Sequence, residues 1–285
     1  MQVLHSIADI KDLVKNWKAS GLSVGFVPTM GYLHEGHMSL IKESVAQNDK
    51  TVVSIFVNPT QFGANEDLDS YPRDLDRDAI LCENNHVDVI FNPSAEEMYP
   101  DDFYTSVTVH TLTDRLCGSK RPGHFDGVCT VVNKLFNIVG PHKAYFGQKD
   151  AQQVAVIHRM VSDLNMPVEV ISCPIVRESD GLAMSSRNSY LSNEERTVAP
   201  ILYQALSQAA ELYRTGCSET TPISQAIQAT LEAQDRITVD YIELVDFRTL
   251  QKVEFIEKPT LCAIAVFLGK TRLIDNIILA SEESN

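Results

Sequence analysis

Through its first two thirds the chain alternates strand-length apolar runs with helix-length amphipathic ones, and few architectures accept that order. Residues 22–27, 51–57, 87–91, 143–146 and 168–173 read as strands, the last closed by Pro174. Helical patterns precede and separate them: 7–17, a second ending near Gln47, and a third starting near Leu75. A fourth sets Val128, Val131, Val132, Leu135, Phe136 and Val139 on one face, and a fifth carries Val154, Ile157, Val161 and Leu164. Strand, helix and strand in repetition build a parallel sheet through right-handed crossovers. The expected fold is α/β, a Rossmann-like doubly wound parallel sheet whose ligands sit outside the carboxyl ends of its strands.

After about residue 187 the pattern changes. Ser192 and Glu195 have capping-box spacing and open a helix carrying Val198, Ile201, Leu202, Ala205, Leu206, Ala209 and Leu212, which Gly216 ends. A shorter helix at 223–233 and extended runs at 239–245, 261–267 and 273–279 complete a smaller C-terminal α+β domain. With no low-complexity linker, the expected domains are 1–186 and 187–285, joined by a hinge rather than a tether.

At 285 residues and 44% hydrophobic, the chain can bury a sizeable core. No apolar run approaches the roughly 20 residues of a membrane span, and the start lacks the charged-then-apolar order of a signal peptide. The six cysteines are scattered without a Cys-x-x-Cys pair, as for reduced thiols in a cytoplasmic protein. A net charge of −14 and a pI near 4.9 oppose nucleic acid as a partner. An acidic protein that binds an anionic ligand must gather its few positive groups in one place.

One stretch has the form for that. Pro28-Thr29-Met30-Gly31-Tyr32-Leu33-His34-Glu35-Gly36-His37 follows the first apolar run and precedes a helical pattern. A strand turning through glycine into a helix aims backbone N–H groups and the positive end of the helix dipole at one spot, which attracts phosphate. Two imidazoles three positions apart can donate to anionic oxygens there, and the chemistry implied is nucleotidyl transfer. An isolated His-x-x-His is also compatible with a zinc pair or with ordinary surface histidines.

Other polar groups stand at neighbouring strand ends. Asn58 and Gln61 follow the second run, where amides can read hydroxyls and a carboxylate without adding charge, although Asn58-Pro59 is equally a capped turn. Gly147-Gln148-Lys149-Asp150 follows the fourth, with Gln152 and Gln153 beyond, and Lys149 is either a phosphate contact or a solvated cation. Gly181 to Asn188 places two hydroxyls and Arg187 on a glycine-led loop, able to close over a triphosphate or to serve as plain structure. Gly269-Lys270-Thr271 is not the end of a P-loop, because Ile264 stands where the leading glycine belongs. No Gly-x-Gly follows the first strand, which opposes a dinucleotide site.

In their order and separation these segments resemble the pantothenate synthetase family, the pantoate–β-alanine ligases of coenzyme A biosynthesis. The resemblance runs through Pro28 to Gly31 with His34-x-Gly36-His37, Phe56 to Pro59 with Gln61-Phe62, and Tyr71-Pro72-Arg73. It continues in Arg121 to Phe125, Phe146-Gly147 with Lys149-Asp150, Gln152-Gln153, and Met184 to Asn188. It covers nearly the whole chain. Gln148 stands where that family commonly has glutamate, and Tyr32 where a smaller residue is frequent.

The resemblance implies condensation of pantoate with β-alanine through pantoyl adenylate, giving pantothenate, AMP and pyrophosphate. It implies ATP contacts at Met30, Gly31, Tyr32, Leu33, His34, Glu35, Gly36 and His37, at Gly147, Gln148, Lys149 and Asp150, and at Val176, Met184, Ser185, Ser186 and Arg187. His37 is the proton donor and His34 its phosphate-binding neighbour, and Lys149 and Arg187 are the cations. Gln61 and Gln153 hold pantoate with Asn58 as a third contact, and Gln61 also lies near β-alanine. Mg²⁺ is implied as the triphosphate's counterion, with Asp78 its candidate ligand or else an ordinary helix-start acid. A cytoplasmic homodimer without nucleic-acid or membrane partners is expected. The rivals are a cytidylyltransferase or tRNA synthetase fragment with the same histidine geometry, and a catalytically silent nucleotide sensor.

Overall fold

The structure is a computed structural model that describes residues 1–64 and 66–280. It contains two compact units, and no single residue divides them. One comprises Met1–Gln148 with Val156–Pro174, and the other comprises Lys149–Ala155 with the chain from Ile175 onward.

The first unit is built on a six-stranded sheet. Its strands are β1 (Gln2–Leu4), β2 (Val24–Thr29), β3 (Lys50–Ile55), β4 (Val89–Phe91), β5 (Lys143–Gly147) and β6 (Glu169–Cys173), in the order β1-β4-β3-β2-β5-β6. Every pairing is parallel. Along the chain the helices are α1 (Ile7–Ala19), α2 (Glu35–Gln47), α3 (Leu75–Asn84), α4 (Ala95–Met98), α5 (Leu116–Lys120), α6 (His124–Val139), α7 (Ala151–Asp163), α8 (Asn193–Val198), α9 (Ile201–Arg214) and α10 (Thr220–Glu232). On one face of the six-stranded sheet α2 and α3 bury Met38, Leu40, Ile41 and Cys82 against Val27, Val53, Ile90 and Tyr145. On the other, α6 (His124–Val139) sets Phe136 edge-on to Phe26 and Phe146, at centroid distances of 6.4 and 6.3 Å. Burial on both faces is why the strands read as near-continuous apolar runs.

Chain order places the ligand end of this sheet. From β2 the chain moves outward to β3 and β4, then returns across the sheet to β5 on the other side of β2, so the topological switch lies between β2 and β5. Pro28 sits in the central strand without breaking it. Thr29 turns its carbonyl to β3, accepting from Phe56 N–H at 3.0 Å, so by alternation Pro28 turns its nitrogen toward β5, where pairing has already ended at Phe26. The N–H that proline lacks has no ladder position to fill.

The second unit carries an antiparallel sheet, β7 (Ile237–Asp246), β8 (Thr260–Leu268) and β9 (Thr271–Leu279). Helices α9 (Ile201–Arg214) and α10 (Thr220–Glu232) bury Leu202, Leu206, Ile223, Ile227 and Leu231 against Ile264, Val266 and Leu273. Gly269 and Lys270, two of the three residues that resembled a P-loop end, form the β8–β9 turn, with Gly269 at φ +59°. The helix expected to run unbroken from Ser192 to Gly216 is two: a short segment, Asn193–Val198, and α9. Pro200 between them lacks the N–H that continuation needs. Among the described residues no helix is long and apolar enough to cross a membrane.

Candidate active site

The motif after β2 is shaped by a carboxylate from α3. Gly31 and Tyr32 both take left-handed backbone, at φ +88° and +51°. That conformation costs a tyrosine about 1–2 kcal/mol and needs a restraint. Asp78 supplies it, with Oδ2 accepting from Tyr32 N–H at 2.7 Å and Oδ1 from Leu33 N–H at 2.8 Å. Arg77 donates to the Leu33 carbonyl at 2.8 Å and lies 5.0 Å from the Tyr32 ring. Asp78 is fully buried. Burial raises its pKa against the pull of the Leu33 and Tyr32 N–H groups and of Arg77.

Asp78, the candidate magnesium ligand, is in this structure an anchor of the loop. Both of its oxygens are committed to the loop and closed off from water. Among the described residues no three His, Cys, Asp or Glu side chains gather into a set that could hold a metal.

The two histidines cap α2. His34, at the N-cap, accepts from Gly36 N–H through Nδ1 at 3.1 Å, and His37 Nδ1 accepts from His34 N–H at 3.3 Å, which closes a capping box. An accepting Nδ1 carries a lone pair, so in the neutral ring the proton sits on Nε2. Both imidazoles, 4.1 Å apart between centroids, are thus set as Nε2–H donors at a helix start.

Beside them the 3-10 turn Pro59–Gln61 follows β3. Gln61 is 9% exposed and its Nε2 lies 3.2 Å from Met30 Sδ, joining this turn to the motif after β2. Asn58 is fully buried. Its Nδ2 donates to Gln61 Oε1 and to the Gly127 carbonyl, both at 3.1 Å. Its Oδ1 accepts from the hydroxyls of Tyr99 at 2.8 Å and Thr60 at 2.9 Å. With its amide hydrogen-bonded at both ends, Asn58, the expected third pantoate contact, is here a bracket that holds Gln61.

Three residues given no role from sequence hold the same turn from its main chain. His124 Nδ1 lies 2.8 Å from the Gln61 carbonyl, and Arg121 lies 2.9 Å from His124 Nε2. The carbonyl can only accept and the guanidinium only donate, which fixes the Nδ1–H tautomer. Arg121 in turn binds both oxygens of Glu66 at 2.6 Å. Burial opposes the Glu66 carboxylate, but Arg121 outweighs it and lowers the pKa. The Arg121-Pro122-Gly123-His124 run was legible; its target, sixty residues away, was not.

Of the other expected residues, Gly147 closes β5, and a Cβ there would meet nothing within 4 Å. Gln148 belongs to the first unit and Lys149 to the second. Within the second unit the Lys149 carbonyl accepts from Asn276 on β9 at 2.9 Å. Asp150 is exposed and Gln153 half-buried. Val176 and Met184 are brought together, Met184 N–H donating to the Val176 carbonyl at 3.0 Å across an antiparallel bridge, Arg177 to Ala183. Ser185 then caps a short 3-10 helix, Ser186–Tyr190, by accepting from Arg187 N–H at 3.3 Å. Val176, Met184, Ser185, Ser186 and Arg187 are thus neighbours in one loop pair.

Comparison with known proteins gives the family. A family model described as pantoate-beta-alanine ligase matches residues 2–278. A pantothenate synthetase of Caldicellulosiruptor saccharolyticus is 56% identical over 98% of this chain and 99% of its own length. One from Clostridium acetobutylicum is 56% identical over 97% and 98%. Among solved structures, the pantothenate synthetase of Thermus thermophilus superposes with a TM-score of 0.92 at 44% identity, covering 97% of this chain and 99% of that one. The pantoate-beta-alanine ligase of Francisella tularensis, complexed with beta-gamma ATP and beta-alanine, superposes at 0.81 with 35% identity, covering 98% and 97%. The chain belongs to the pantoate–β-alanine ligase family.

Proposed function

We infer that this chain catalyses the ATP-dependent condensation of pantoate with β-alanine to pantothenate, AMP and pyrophosphate, by way of pantoyl adenylate. Membership of the family along nearly its whole length sets the substrates. The observation that carries the chemistry is the histidine capping box, which sets two Nε2–H donors over a helix start, where a phosphate is favoured.

A free carboxylate resists an amine because its carbon is a poor electrophile and carries no group that can leave. In the first step a pantoate carboxylate oxygen bonds to the α-phosphorus of ATP, and the bond from that phosphorus to pyrophosphate breaks. In the second the β-alanine amine, having lost a proton, bonds to the acyl carbon and AMP leaves. No protein nucleophile is needed; alignment and charge neutralisation carry the rate. His37 and His34 donate to phosphate oxygens, His37 where charge develops. Lys149 and Arg187 offset the departing pyrophosphate, with Ser185 and Ser186 as further donors. Met30 to Leu33, Glu35, Gly36, Gly147, Gln148, Asp150, Val176 and Met184 line the nucleotide. Gln61 and Gln153 hold pantoate, and Gln61 also borders β-alanine. Mg²⁺ enters with ATP as part of the substrate, held by the triphosphate rather than by a resident cluster. The protein works as a cytoplasmic homodimer.

The test is product formation by the purified chain from ATP, pantoate and β-alanine, followed by mass spectrometry. Equal yields of pantothenate and AMP support the reaction, and ADP in place of AMP would overturn adenylation. Omitting β-alanine should leave enzyme-bound pantoyl adenylate.

A further inference from the structure

An amide offers a ligand either its N–H face or its carbonyl face, and the two are so alike in size that packing alone does not choose. At Gln61 the choice is made through Asn58. One end of the Asn58 amide meets Thr60 N–H at 3.3 Å, which can only donate, so that end is Oδ1. The other end meets the Gly127 carbonyl, which can only accept, so that end is Nδ2. Nδ2 also donates to Gln61, which must therefore turn Oε1 inward and Nε2 toward Met30. The face left for an acid substrate is a donor. A reversed Gln61 would set carbonyl lone pairs against a carboxylate.

The shortest bond on the Asn58 oxygen comes from outside the turn, the Tyr99 hydroxyl at 2.8 Å. Thr60 also reaches that oxygen, through its hydroxyl at 2.9 Å and its N–H at 3.3 Å, but a residue two positions away in the same turn restrains the amide less than a fixed wall. Tyr99 is such a wall. Its ring packs against Phe56 and Phe103, at 6.3 and 5.2 Å between centroids, with Lys134 Nζ 5.6 Å from its centre. Its hydroxyl donates because the end of Asn58 that it meets is the oxygen, and burial raises the phenol's pKa.

We propose that Tyr99 is a positioning residue for pantoate recognition: its hydroxyl locks Asn58, and thereby Gln61, in the orientation that presents N–H rather than carbonyl to the substrate. This rests on the assignment of Gln61 to pantoate. Tyr99 touches no reacting atom. Its effect should therefore appear in pantoate binding and not in ATP binding.

The test is a double-mutant cycle on the full chain with Tyr99→Phe, Gln61→Ala and the pair, reading the calorimetric Kd for pantoate and the KM for ATP. Tyr99→Phe keeps the ring and should weaken pantoate binding roughly three- to tenfold, the worth of one ordinary hydrogen bond, with the ATP KM unchanged. In the Gln61→Ala background it should add nothing, because the group it orients is gone. Asn58→Asp, which turns an acceptor toward Gln61, should weaken pantoate at least as much. Unchanged pantoate binding in Tyr99→Phe, or full additivity in the pair, overturns the proposal. Pantoate binding unaffected by Gln61→Ala overturns the assignment of Gln61 instead.

Discussion

His34 caps α2, and two substitutions separate that role from the one proposed for it in the chemistry. His34→Ala removes the α2 cap and should cost about 0.5–2 kcal/mol of stability. His34→Asn restores a capping acceptor and with it the unfolding midpoint, yet lacks the Nε2–H donor, so its adenylation rate should stay low. A His34→Asn protein that is both stable and fully active would remove the imidazole from the chemistry. His37→Ala and Lys149→Ala should each slow adenylation about 10²-fold or more in single turnover, the cost of losing one preorganised donor to developing charge. Asp78→Asn tests the anchoring role. An amide has one acceptor for the two N–H groups of Tyr32 and Leu33, so the loss should be about 1–3 kcal/mol of stability, read by denaturant unfolding, whether or not Mg²⁺ is present.

At the scale of elements, periodicity recovered what is local. Helices α2, α3 and α6 and the strands that alternate with them were legible because each buries a continuous face against the sheet. The expected edges moved by a few residues, as at β2, whose last turn of ladder passes through Pro28. Strand β1 was missed, since three residues show no period and its partner, β4, lies far along the chain. The site divides in the same way. The His-x-Gly-His segment and the amides were visible as types, whereas Asp78 as a loop anchor, Tyr99 on Asn58 and His124 on Gln61 depend on contacts across tens of residues. Gly127 is one such contact. A Cβ there would stand 2.7 Å from Gln61 Cα, so α6 can meet the turn only without a side chain. Gly127→Ala should cost roughly 1–3 kcal/mol by overpacking and weaken pantoate binding in calorimetry. Near-native stability and affinity would show that the turn yields freely.

At the scale of the whole molecule, acid sensitivity can be assigned to named groups. Asp246 ends β7 under burial that opposes its charge, but Lys258, the Thr249 N–H and hydroxyl and the Arg248 N–H outweigh it and hold the pKa at about 2, below the ordinary 3.8. A folded-state pKa below the unfolded one gives stability that is complete above 3.8 and lost as pH falls through about 2. Unfolding free energy should drop across that window by on the order of 2 kcal/mol from this group, and Asp246→Asn should flatten that part of the profile.

The net charge of −14 sets a second whole-molecule constraint, since an acidic protein must bind a triphosphate through a few placed donors rather than through its general field. The most direct measure of whether it does so, and for which substrate, is exchange of labelled pyrophosphate into ATP. Label should enter ATP only when pantoate is present, with no need for β-alanine. Exchange without pantoate, or into cytidine nucleotides in place of ATP, would contradict adenylation of pantoate by ATP.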